Sequence, residues 1–236
     1  GSGEGCGLQA GLVSLALGDT HTCGLLSTST AVCFGSNAHG ELGDGTNVPR
    51  QRPTPVCLTG STEGNCVPIS DIMALAAGRW FNCAVTFAGQ VYCFGENLSG
   101  QLGSEGPQSS HPIEVNLPIS VVALAAGAEH VCALDAFGEV WCWGWLSGRV
   151  GTDPEAICQT STCDAVIDQA VAISAGSRHS CALLKSRGQV WCFGENNFGQ
   201  LGDGTTVSRA YGQPVCQLGS GLGCQPLENA VAVISG

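Results

Sequence analysis

Charge is what this sequence has least of. Only 11% of its 236 residues are charged. Long surface helices need charge along their outer faces, so few such helices are expected. Basic residues number 8 against 19 acidic ones, for a formal net charge of −11. Lys185 is the single lysine. So few bases argue against nucleic-acid binding through phosphate neutralisation. No apolar run reaches the ~18 residues of a transmembrane helix. No basic segment leads into an apolar one at the N-terminus, so no secretory signal is legible there. No C-x-x-C pair occurs, which argues against a zinc site. Apolar residues still make up 44% of the chain, enough for a packed core rather than a disordered chain.

Glycine and cysteine are abundant, at 35 and 15 residues. A cysteine content of about 6% suits an oxidising compartment. The odd count leaves one cysteine without a partner in the chain.

Internal repeats organise the rest. S-L-A-L-G ending at Gly18 recurs as A-L-A-A-G at Gly78 and Gly127, A-I-S-A-G at Gly176 and A-V-I-S-G at Gly236. A cysteine stands five residues after each of the first four glycines: Cys23, Cys83, Cys132 and Cys181. A second follows ten or eleven residues later: Cys33, Cys93, Cys142 and Cys192. Next come an aromatic residue and glycine, then a G-x-L-G or G-x-V-G turn. The segments are short, apolar and alternating, with glycine at the third loop position between paired cysteines, as in Phe87-Ala88-Gly89. That pattern predicts strand hairpins with a bulged turn. Strand-only repeats of this length indicate a β-propeller.

H-x-C-A-L followed by V-W-C-F-G-x-N-x-x-G-Q-L-G, best seen in residues 179–202, resembles the repeat of the regulator of chromosome condensation superfamily. The resemblance covers essentially the whole chain. It implies an all-β propeller, with seven blades typical of the family. The paired cysteines look more like secreted bacterial and algal versions of the repeat, or the ectodomains of crinkly-type plant receptor kinases. Repeats are expected at about 12–71, 72–120, 121–169 and 170–229, with 1–11 and 230–236 as partial repeats. Four full blades in an open arc, cut from a longer array, follow from that division.

Within blades, Cys23–Cys33, Cys83–Cys93, Cys132–Cys142 and Cys181–Cys192 are expected as hairpin disulfides. Cross-strand neighbours bring Cβ atoms to roughly 4.5–5.5 Å, near disulfide range. Cys57–Cys66, Cys158–Cys163 and Cys216–Cys224 pair in the loops between blades. Cys6 stands twelve residues before Gly18, as Cys66 does before Gly78. It reads as half of a loop pair from a preceding repeat, unpaired within this chain.

His21, His130 and His179 share one repeat position, which Phe81 fills in the second repeat. Since phenylalanine neither ligates a metal nor moves a proton, these histidines read as inter-blade packing. The G-D-G-T segments at Gly43–Thr46 and Gly202–Thr205 read as tight turns, each with too few carboxylates for calcium. Trp141, Trp143 and Trp191 recur at strand positions and read as core. Trp80 and Trp145 do not recur, and Trp145 falls in a shortened loop beside Arg149. All three are candidates for partner contact, because exposed tryptophan and arginine dominate binding hot spots. Asn97-Leu98-Ser99 is the one glycosylation sequon, expected at the surface.

No nucleophile–base pair, carboxylate pair or metal cluster recurs, so no catalytic, metal or cofactor site is expected. The acidity and disulfides speak against nucleotide exchange on a small GTPase, the role of the family's nuclear member. The clustered tryptophans and arginines of the plant ultraviolet-B photoreceptor are missing as well. The expected function is an extracellular or cell-surface module for structure and protein interaction. Its partners would be proteins or further repeats of the same polypeptide. The alternative is a secreted enzyme inhibitor, on the resemblance to a bacterial β-lactamase inhibitor.

Overall fold

The computed structural model describes residues 11–146, 149–220 and 223–235. Cys6 lies outside them. The described chain forms β-strands without an α-helix. The first sheet is β1 (Leu12–Leu17), β2 (His21–Leu26), β3 (Ala31–Gly35) and β4 (Arg50–Pro55), antiparallel in that order. A disulfide-clamped hairpin follows, β5 (Cys57–Ser61) with β6 (Gly64–Pro68). The second sheet is β7 (Ile72–Ala77), β8 (Phe81–Thr86), β9 (Val91–Gly95) and β10 (Ser109–Glu114). The third is β11 (Val121–Ala126), β12 (His130–Asp135), β13 (Val140–Leu146) and β14 (Arg149–Ala156). The fourth is β15 (Ala170–Ala175), β16 (His179–Leu184), β17 (Val190–Gly194) and β18 (Arg209–Pro214). A small hairpin ends the series, β19 (Cys216–Leu218) with β20 (Gln225–Pro226).

Strand register explains the cysteine spacing. Cys23 stands directly opposite Cys33, Cys83 opposite Cys93, Cys132 opposite Cys142 and Cys181 opposite Cys192. All four pairs are disulfide-bonded. The connecting loops carry Cys57–Cys66, Cys158–Cys163 and Cys216–Cys224. The eleven-residue spacing of the fourth pair is absorbed in its hairpin tip, where Gly188 takes φ +59°. Gly89 and Gly138 fill the equivalent left-handed position at φ +80° and +91°.

In the first blade that position is Ser29, at φ +59°. A side chain in left-handed conformation costs about 1 kcal/mol relative to glycine. Ser29→Gly is therefore expected to raise the unfolding free energy by about that amount, read as an increased denaturant midpoint. The effect is limited because glycine also loosens the unfolded chain.

Packing occurs between blades. One core joins Cys23, Cys33, Leu42 and Val56 of the first blade to Ile72, Ala84 and Phe94 of the second. The next joins Cys83, Cys93 and Leu102 to Val131, Ala133 and Trp143. A third joins Cys132, Cys142 and Ile157 to Ala182 and Phe193. The first three blade disulfides are thus buried in the seams, each staple holding the surface on which the next blade packs, and Cys181–Cys192 is buried under Val215, Ala230 and Val233. The aromatic residues after Cys93, Cys142 and Cys192 pack on the preceding blade. Trp143 Nε1 donates to Gln101 O at 3.0 Å, and a Cβ on Gly43 would meet the Phe94 ring at 2.7 Å. Of the three recurrent tryptophans, only Trp143 is fully buried; Trp141 and Trp191 are half-buried. Trp191 packs against the core between the third and fourth blades, so it is a partly covered core residue rather than a fully buried one.

The innermost strands follow one another as β1, β7, β11 and β15. Backbone bonds step between their end loops: Asp19 N to Arg79 O, Arg79 N to Ala128 O, and Ala128 N to Ser177 O. The series does not close. Residues 230–235 lie beside β15, where Ala230 N donates to Gly188 O and Ser235 N to Ser174 Oγ, and they join no strand of the first sheet. Leu12 is 51% exposed, whereas its equivalents Ile72 and Val121 are each 1% exposed. The blades form an open arc.

Candidate interaction face

One end of the arc is built from two kinds of loop. Short turns join the first and second strands of each blade, at Asp19-Thr20, Arg79-Trp80, Ala128-Glu129 and Ser177-Arg178. The chain leaving each third strand bonds to that turn: Ser36 N to Thr20 O, Glu96 N to Trp80 O, Trp145 N to Glu129 O and Glu195 N to Arg178 O. These hydrogen bonds bring the two loop sets to the same end of every blade.

An asparagine fastens each long loop. Asn37 Oδ1 accepts from Leu42 N, and its Nδ2 donates to Asp44, Thr46 O and Val48 O. Asn196 repeats the arrangement with Leu201, Asp203, Thr205 O and Val207 O. Asp44 and Asp203 are the G-D-G-T carboxylates, and Arg50 and Arg209 pair with them at 2.7 and 3.1 Å. Burial alone would raise the Asp44 carboxyl. Hydrogen bonds from Thr46, Arg50 and Thr62 outweigh it and hold the group below the usual carboxylate range. Asp203 is lowered in the same way, against burial, by Thr205, Arg209 and Asn196. Both carboxylates serve the turn itself.

The same geometry corrects the expectation for Asn97. Its side chain is buried, with Nδ2 donating to Ser104 O at 2.9 Å and Gly106 O at 3.1 Å. A glycan on Nδ2 is incompatible with that fold. The exposed residue of the turn is Leu98.

Beneath the face, side chains zip the seams. Asn82 Nδ2 donates to His21 Nε2 at 2.8 Å and to Glu41 O at 2.7 Å. His130 Nε2 meets Ser180 Oγ at 2.8 Å. Where Phe81 replaces histidine, the matching residue of the next blade is Val131, in the same core. Polar faces polar, and apolar faces apolar. Burial lowers the pKa of His21 and takes that of His130 down to about 4.

On the face itself, Trp80 stacks with His39 of the preceding blade, ring centroids 5.0 Å apart and planes at 19°. The Arg79 guanidinium lies 4.2 Å from the Trp80 ring and bonds Asp19 at 3.2 Å. One seam further, Ser99 Oγ donates to Glu129 at 3.2 Å. Burial pushes the Glu96 carboxyl up, opposed by His39 and reinforced by Glu129. Trp145 takes the Glu96 position in the third blade and is covered by Arg178 of the fourth, at 5.1 Å. Arg178 also pairs with Glu195 at 3.7 Å.

Trp80 and Trp145 thus share one end of the arc, two seams apart, each with a guanidinium over its ring. Trp145 is not in a loop, since β13 continues through it into a hairpin with β14, where Leu146 stands opposite Arg149. The guanidinium over Trp145 is that of Arg178. His39, Arg79 and Arg178 escape sequence reading because their contacts cross blade seams. The usable signal was position: each stands where the repeat varies, beside a residue that recurs. Among the described residues no group of three or more His, Cys, Asp or Glu could hold a metal ion. Among the described residues no helix is long and apolar enough to cross a membrane.

A family model for the regulator of chromosome condensation (RCC1) repeat matches residues 12–41, 74–101, 121–148 and 170–200. A second model of that repeat matches 88–134 and 187–228. Among curated proteins, the probable E3 ubiquitin-protein ligase HERC3 of Homo sapiens is 30% identical over 213 residues, covering 88% of this chain and 20% of its own length. The human probable E3 ubiquitin-protein ligase HERC6 is 31% identical over 198 residues, with 84% and 14% covered. The chain therefore spans a fifth or less of these relatives. Human WBSCR16 superposes with a TM-score of 0.73 at 23% identity, over 88% of this chain and 54% of that one. Prp20p of Saccharomyces cerevisiae gives 0.70 at 20% identity, over 86% and 50%. These two likenesses are of fold. Matched repeat by repeat, with one four-stranded sheet to each, the chain belongs to the RCC1-repeat family of β-propellers.

Proposed function

We propose that this chain is a protein-interaction module that works outside the reducing cytosol. It engages its partner with the end of the arc that carries Trp80 and Trp145. The observation that carries this reading is the pair of half-buried tryptophans under guanidinium groups on one face. Tryptophan and arginine supply most hot-spot energy in interfaces. The face is rigid, because every turn in it is bonded to its blade and its neighbour, so little ordering entropy opposes binding.

The oxidised setting is supported by the seven disulfides of the described residues. A protein-binding role is further supported by the likeness to yeast Prp20p, whose structure is described with its binding to Gsp1p and histones. The ligase activity in the names of HERC3 and HERC6 belongs to proteins of which this chain spans a fifth or less.

The test is affinity for a partner isolated on the immobilised protein from cell-surface extract or culture medium. Trp80→Ala and Trp145→Ala are each expected to weaken binding by about 2 kcal/mol, roughly thirtyfold. Unchanged affinity in the double variant overturns the assignment.

A further inference from the structure

The disulfide-bearing loop between the third and fourth blades is built differently from the other two loops that carry a disulfide. Cys57–Cys66 and Cys216–Cys224 clamp paired hairpins. Cys158–Cys163 closes a loop of sequence separation 5, with a single bridge, Cys158 opposite Val166, at its neck. Inside the loop, Cys163 N donates to Thr160 O and Gln159 N to Ala165 O. Cys163 takes φ +55°, the left-handed region, without being glycine. Of the fourteen cysteines in disulfides, Cys163 alone is exposed. The eight blade cysteines are 6% exposed or less, and Cys57 is fully buried.

Thiol–disulfide exchange needs a thiolate to reach one sulfur in line with the bond, and exposed disulfides are the labile ones. We propose that Cys158–Cys163 is a thiol-exchange site, opened by an external dithiol while the other disulfides of the described chain stay closed. The incoming thiolate bonds to Cys163 Sγ, and Cys158 leaves as a thiolate that takes a proton from water. The reagent's second thiol then attacks its own sulfur in the mixed disulfide, and Cys163 leaves and is protonated. The protein gains two electrons and two protons; the dithiol loses them and becomes a cyclic disulfide.

The surroundings favour this. Cys158 borders a cavity of about 70 Å³ shared with Leu146, Ile157 and Ala210, which gives the released side chain room. Ile157 and Ile167 anchor both ends of the loop in the inter-blade core, and Gly212 N of the fourth blade holds Cys158 O at 2.8 Å. Opening therefore frees residues 159–165 without unfolding a blade. The loop also selects its reagent. Asp153, Glu155, Asp164 and Asp168 lie in or beside it, and residues 151–168 contain no lysine or arginine. An anionic thiolate is repelled there and a cationic thiol is not. The exchanging partner is a thiol in neutral or cationic surroundings.

The experiment is timed reduction of the intact protein by dilute dithiothreitol, with alkylation and peptide mapping. A sample without reductant supplies the background. Cys158 and Cys163 are expected to be labelled together, about tenfold faster than any other described pair. Cysteamine should open the bond faster than glutathione, by a ratio that shrinks in high salt and in Asp164→Asn. Simultaneous opening of all pairs, or earlier opening of Cys57–Cys66 or Cys216–Cys224, overturns the proposal. Equal rates for cysteamine and glutathione overturn the selectivity.

Discussion

Replacing Gly127 by alanine is expected to destabilise the protein by about 3 kcal/mol, the upper end of an overpacked core. A Cβ there would lie 2.2 Å from His130 Cε1, 2.5 Å from His130 Nδ1 and 2.6 Å from the Gly176 carbonyl. The first two atoms belong to a fully buried ring, and the third is backbone of the next blade. Neither can retreat without opening the seam. The glycine has no left-handed φ, so the cost is contact alone. Two comparisons isolate it. Gly64→Ala adds a methyl group where nothing lies within 4 Å, and stability should hold. His130→Ala should recover part of the loss when combined with Gly127→Ala, giving a favourable coupling in the double-mutant cycle. Chemical denaturation under non-reducing conditions measures the parent and the four variants. Equal stability of Gly127→Ala and the parent contradicts the argument.

Acid is expected to loosen the same seams. His130 is fully buried, and its pKa is lowered from 6.5 to about 4, first by burial and then by nearby His179. Between those values the unfolded chain binds a proton at this residue and the folded chain does not. The stability contributed by neutral His130 is therefore complete above pH 6.5. It falls as the pH drops toward 4, and no further below that. The size is about 3 kcal/mol for a shift of this order. His21 and His179 are lowered too, chiefly by burial, and act in the same direction. The second seam shows how to remove the effect. Phe81 and Val131 occupy the positions that His130 and Ser180 occupy one seam later. Installing that pair as His130→Phe with Ser180→Val should leave the protein folded and reduce the fall in its stability between pH 6.5 and 4, leaving only the part due to His21 and His179. An unchanged pH slope in the double variant would assign the acid sensitivity elsewhere.

The blades were legible in the sequence because the repeat unit and the folding unit coincide. Each cysteine pair faces across one hairpin, and strand pairing is local in sequence. What joins blades was harder to read. The His39–Trp80 stack joins residues 41 apart, and Arg178 reaches Trp145 from the next repeat. Only the ring geometry brings such positions together. Asn97 shows the opposite error. A polar residue in a glycine-rich turn reads as surface, yet its amide is the internal strut that replaces missing backbone bonds in a long loop. The same role at Asn37 and Asn196 was visible as a recurrent asparagine, and recurrence was the better guide.

The arc has two ends on which a partner can dock. The two ends differ in kind. The proposed face carries Trp80, Trp145, Arg79 and Arg178, while the hairpin tips at the other end present Phe87 and Phe137, 66% and 86% exposed. Backbone hydrogen exchange of the protein with and without its isolated partner separates them. Exchange is expected to slow at the turns around residues 36–39, 78–80, 96–99, 127–129 and 176–178. Slowing confined to the tips at residues 86–89 and 135–138 would contradict it.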